Sequence, residues 1–169
     1  MKLRFGAIWG LAGVGLLLAS AVYRLTPLAF DAFLSPWSWY HWLTFVVVLL
    51  FMAYFEGYRA FQKAFSPRVA ARARYLCTHS DRFPALLAPL FCMAYFHAPR
   101  RRRITSLSVT AGIIILVVLV RLLEQPWRGI IDGGVVVGLA WGLISLSLFG
   151  YRALTDREFP FSPEVPEEL

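Results

Sequence analysis

Residues 83–103 read FPALLAPLFCMAYFHAPRRRR, and the fold turns on whether this stretch crosses a bilayer. It is apolar as far as Pro99, yet prolines stand at 84, 89 and 99. From Pro84 to Ala98 a helix would be about 22 Å long, short of the roughly 30 Å hydrocarbon core. Pro89 removes a helical hydrogen bond within it. Four consecutive arginines, Arg100 to Arg103, follow at once.

Outward from this stretch lie four other uncharged runs, at 5–23, 32–55, 104–120 and 133–151. Each is long enough to span, the third once it extends past Arg121, whose long side chain can reach the interface. Lys and Arg collect on the cytoplasmic side of membranes. If 83–99 does not cross, fourteen of the 17 basic residues fall inside and only Arg24, Arg121 and Arg128 outside. If it crosses, the split becomes ten to seven. The first arrangement fits far better. The sequence therefore predicts an all-α, polytopic membrane protein with four transmembrane helices, at about 5–23, 39–58, 104–123 and 130–151. Both termini are then cytoplasmic, as in a bacterial inner membrane, and 83–99 is a re-entrant or interfacial segment.

Composition agrees with this reading. In 169 residues, 59% are hydrophobic and 16% charged, against about 25% charged in a soluble domain. A single domain is expected. The net charge of +7 points to an anionic lipid surface and not to nucleic acid, because no nucleic-acid-binding module is recognisable. Lys2, Arg4 and Ala19-Ser20-Ala21 around the first run also describe a cleavable secretory signal; retention as a span is the preferred expectation.

Between 59 and 82 the chain carries Ser66-Pro67, an N-cap followed by proline at the first helical position. Val69, Ala73 and Leu76 share one face and Arg68 and Arg72 lie on others, which predicts a basic surface helix over 67–78. The segment 155–169, with Pro160, Pro163, Pro166 and several glutamates, is expected to be a mobile acidic tail. Trp37, Trp39, Trp42 and Trp127 suit an aromatic belt at the outer interface.

Few residues suggest chemistry. Gly134, Gly138 and Gly142 recur at every fourth position, as do Gly6 and Gly10. Glycines at that spacing let helices approach closely in lipid, either the first and last spans of one chain or an interface in a homo-oligomer or larger membrane complex. Arg128 and Asp132, four apart, form an expected outer ion pair. Glu56 at the inner end of the second span is a site hypothesis by default; with Arg59, His97, Arg100 and Arg101 it would frame an inner-leaflet polar pocket. Cys77, His79, Cys92 and His97 do not have the spacing of a zinc motif, so no metal or cofactor is expected, and no catalytic motif is present.

Glu56-Gly57-Tyr58-Arg59, Phe65-Ser66-Pro67-Arg68-Val69 and the run from Pro126 to Gly134 together resemble a family of small, uncharacterised membrane proteins of bacteria and chloroplasts. The resemblance implies an integral membrane protein and brings no activity. The leading expectation is an accessory, scaffold or assembly subunit that binds anionic lipid and a membrane partner. The alternative is an enzyme or carrier acting on a lipid or small solute at the inner-leaflet pocket.

Overall fold

A computed structural model describes residues 2–78, 85–156 and 158–165. Phe83, Pro84, His79 and Arg82 of the sequence reading lie outside the described residues, as does the tail beyond 165. The described residues are helical and contain no strand. Four helices are long and apolar enough to cross a membrane: Phe5–Leu34, Trp39–Cys77, Arg100–Arg121 and Trp127–Thr155.

The first, α1 (Lys2–Asp31), contains Pro27 and ends in a 3-10 turn at Ala32–Leu34. It is longer than the expected 5–23 because Arg24 faces outward and does not interrupt the apolar contacts of its neighbours. Trp37 closes the turn by donating its indole N–H to the Ala32 carbonyl at 2.6 Å and stacking on Phe33, with ring centroids 5.0 Å apart.

The second helix begins at Trp39, where the Ser38 backbone N–H donates to Nδ1 of His41. It runs as α2 (Trp39–Met52), continues through a π-helical stretch at Ala53–Phe65, and goes on as α3 (Ser66–Thr78). The predicted helix start at Ser66-Pro67 is therefore corrected. The chain enters Ser66 already helical, its N–H bonded to the Phe61 carbonyl five residues back. Pro67 follows where the widened turn ends, and a residue without an N–H donor is tolerated there.

The predicted surface helix also differs from the structure. Val69, Ala70, Ala71, Arg72, Ala73 and Leu76 are all buried. Small side chains let α3 pack against α1, against α6 (Trp127–Thr155) and against the short helix α4 (Ala88–Cys92).

Helix α6 is central. It runs antiparallel to α1, with Gly150 beside Leu11 and Gly133 beside Ala29. It runs parallel to the second helix, with Gly134 at Val48, Gly142 at Phe61, and the Ser145 hydroxyl 2.6 Å from that of Ser66. Ser145 donates to the Gly142 carbonyl at 3.0 Å, so Ser66 is the donor between the two hydroxyls. Replacing Ser145 by alanine strands that buried donor and is expected to lower stability by about 1 kcal/mol, read as a drop in the unfolding midpoint in detergent.

Residues 85–99 are not a long helix. A 3-10 turn at Ala85–Leu87 leads into α4, and the chain then turns back, with left-handed backbone at Ala94 and His97, to begin α5 (Arg100–Arg121). The end of α3 and the start of α5 lie at the same end of the bundle. Arg72 of α3 bonds the His97 carbonyl, and Ser106 of α5 bonds that of Met93. Helix α5 starts at Arg100, earlier than the expected 104, and Pro99 precedes its first turn. It packs lightly on α6; Ile113 to Leu119 are all exposed and Val120 alone in it is buried.

Candidate functional site

Arg72 is the largest fully buried side chain among the described residues, at 2% exposure. It is flanked by Ala70, Ala71 and Ala73, none long enough to hold the packed helices away from it. Its Nε donates to the Phe91 carbonyl at 2.6 Å, and Nη2 donates to those of Phe96 and His97, each at 2.9 Å. Nη1 donates to the carbonyl of Pro163 at 3.0 Å and, more weakly, to that of Glu164 at 3.4 Å. The guanidinium lies over the Phe91 ring, 4.1 Å from its centroid. One side chain thus ties together α3, the 85–99 segment and the carboxy-terminal tail through neutral acceptors.

The tail is held at further points. Arg102 binds Glu164 side-on, Nε to Oε2 at 2.5 Å and Nη2 to Oε1 at 2.8 Å. Phe161 packs edge-on against Phe149 of α6, and Val165 against the core cluster around Val69 and Phe91. Arg74 donates to the carbonyls of Asp156 and Ala153, closing the carboxy-terminal end of α6, where a cation also suits the helix dipole. The tail expected to be mobile thus has contacts at 161–165, made by the Glu164 carboxylate together with apolar and backbone groups.

Between these elements lies a cavity of about 40 Å³ lined by Arg68, Arg72, Arg102, Cys92, Ser106 and Glu164, among others. That volume holds two or three waters. Three guanidinium groups meet one carboxylate there. Cys92 packs beside Gly10 and is buried. It is not a reactive thiolate. No cluster of metal-ligating side chains occurs among the described residues.

The residues singled out from sequence are distributed differently. Glu56 lies against Gly138 of α6, on the helix face that the π-helical stretch shares with Phe61. It sits about 20 Å along the helix from Arg72, which meets the 96–97 backbone. Arg59 lies over the Phe55 ring at 5.8 Å. His97, Arg100 and Arg101 are exposed around the start of α5. The expected pocket of Glu56, Arg59, His97, Arg100 and Arg101 is thus not assembled, because the second helix continues as a rod and carries Glu56 away from the arginine end.

The glycine stripe is used, but Gly134, Gly138 and Gly142 face the second helix and not the first. Gly10 receives Cys92 and Ala88, while nothing lies within 4 Å of a side chain placed at Gly6. Arg128 and Asp132 pair as expected, Nε to Oδ2 at 3.6 Å, with Asp132 buried. Sequence reasoning set Arg102 with its neighbours Arg100, Arg101 and Arg103 beside Glu56, and it gave Arg68, Arg72 and Glu164 no place in a site. For Arg72 there was a signal, since an arginine set among alanines has nothing to hold it at a surface.

Among the described residues the fold is all-helical, and the length and composition of its four long helices are those of a multi-pass membrane protein. No family model matches the chain, and no curated protein or solved structure matches it.

Proposed function

We propose that the protein is an accessory or assembly subunit of a membrane that holds anionic lipid at the arginine-rich end of its bundle and a membrane partner along α5. The arginine-lined cavity carries this reading: Arg68, Arg72 and Arg102 converge there with one carboxylate, Glu164, so the site has a surplus of positive charge at the end where headgroups would lie. Arg100, Arg101 and Arg103 extend the positive face at the same end. By the distribution of basic residues that end is cytoplasmic, as in a bacterial inner membrane, and 85–99 dips into the bilayer and returns. Support for the dip comes from α4, which rests on Gly10, about 12 Å along α1 from its start. Helix α5 supports the partner: its middle is bare, and the space beside Gly112 is open to a second backbone.

The test uses the purified full-length chain in detergent. Phosphatidylglycerol is expected to raise the unfolding midpoint by several degrees more than phosphatidylcholine. Equal shifts from the two lipids would overturn the anionic-lipid reading. Native mass measurement of the gently extracted protein checks the partner, and a bare monomer carrying only lipid would remove it.

A further inference from the structure

We infer that the space between Arg68, Arg72 and Arg102 is a binding site for a phosphate or phosphodiester anion, and that Glu164 of the tail is a displaceable stand-in for that anion. This rests on the reading of the arginine end as a holder of anionic groups, and adds the site and its regulation.

The donors decide the case. Arg72 spends its N–H groups on the carbonyls of Phe91, Phe96, His97, Pro163 and Glu164. These acceptors are neutral, so its charge is oriented but not cancelled. Arg68 donates Nε to the Ala64 carbonyl at 2.6 Å. Its two terminal nitrogens have no acceptor among the described residues, though the half-buried side chain lines the cavity. Arg102 presents its planar edge to both oxygens of Glu164, the geometry in which a guanidinium binds a carboxylate or a phosphate alike. Three cations, one anion and an unused donor pair therefore surround a small cavity. A tetrahedral anion in place of the Glu164 carboxylate would keep both bonds to Arg102 and offer further oxygens to Arg68.

The stand-in is weakly held. The Arg102 and Glu164 side chains are 41% and 34% exposed, and ion pairs that open to water contribute little. Glu164 also has a φ of 48°, a left-handed conformation that a glutamate rarely adopts. Phe161 on Phe149 remains as a tether, so the carboxylate can leave the site while the tail stays near.

The experiment titrates the full-length protein in detergent, at fixed ionic strength, with inorganic phosphate, dioctanoyl phosphatidylglycerol and dioctanoyl phosphatidylcholine, reading the unfolding midpoint. Glu164→Gln keeps the shape and removes the competing charge; it is expected to bind the anion roughly fivefold tighter than the parent chain. Arg68→Gln is expected to bind roughly tenfold more weakly, and Arg68→Lys, which keeps charge without the fork, between the two. A response to phosphate alone identifies a free-anion site, and a response confined to phosphatidylglycerol identifies a headgroup site; either supports the inference. Glu164→Gln binding no tighter than the parent overturns it. If phosphatidylglycerol stabilises every variant equally, the lipid-holding function stands and this site falls. If phosphate binding follows the variants while the two lipids act alike, the site stands and the lipid-holding function falls.

Discussion

Leucine in place of Arg72 is expected to lower stability by about 3 kcal/mol, because several backbone carbonyls lose a donor at once. Leucine fills part of the volume but removes the donor from the Phe96 and Pro163 carbonyls, and a buried acceptor without a donor costs about 1–3 kcal/mol; the Phe91 carbonyl keeps the Ala94 N–H at 3.0 Å. Water in the adjoining cavity recovers part of this. In a chain of this size the loss corresponds to a fall of roughly 10 °C in the detergent unfolding midpoint. Lysine should recover less than half of it, since one ammonium cannot reach carbonyls on both the 91–97 segment and the tail. A second readout separates this hub from a generic core defect. The Pro163 carbonyl is tied to Arg72, so the tail of the leucine variant should be cleaved by added protease well below its unfolding midpoint. A variant that melts with the parent and protects its tail would remove Arg72 from the centre of the fold.

That hub also marks where the sequence stops being legible. The long apolar runs specify four helices because hydrocarbon thickness sets a length that few other constraints mimic. The prolines at 84, 89 and 99 and the four arginines after them set this stretch apart from the long runs, and the structure has only a short turn and a five-residue helix within 85–99. The Arg128–Asp132 pair is local, four residues apart on one helix, and so is readable.

What Arg72 grips is not local. Its acceptors are backbone carbonyls, which every residue carries, up to 92 positions away; no residue type in the tail announces them. The fate of Glu56 was hidden for a related reason. At α-helical spacing Glu56 and Phe61 point in different directions, yet both meet glycines of α6, because a stretch bonded five residues back brings them onto one face. Nor could spacing alone say which helix the glycine stripe would receive.

That stripe supplies the second large effect. Leucine at Gly134 or at Gly142 is expected to lower stability by about 3 kcal/mol or more, at the upper end of what overpacking produces. A Cβ at Gly134 would stand 2.6 Å from Cγ1 of Val48, a branched side chain with little rotamer freedom in a helix. At Gly142 it would stand 2.6 Å from Cγ of the Phe61 ring, within a helix that Ser66 and Ser145 also hold in place. Gly138 should be the most forgiving of the three, since its neighbour is the end of the flexible Glu56 side chain.

Alanine scanning separates packing from propensity. A glycine-to-alanine change in a helix interior gains about 1 kcal/mol from backbone entropy. Where space is open, at Gly112 and Gly6, alanine should therefore raise the unfolding midpoint or leave it unchanged. At Gly134 and Gly142 the clash should outweigh that gain and the midpoint should fall. Phe61→Leu combined with Gly142→Ala should recover part of the loss, because the two positions share one contact and cannot act additively. If alanine at Gly134 and alanine at Gly112 shift the midpoint equally, close approach of α6 to the second helix is not what holds the bundle together. The contacts of α1 with α6 at Leu11 and Gly150, and Arg72 at the arginine end, would then have to carry it.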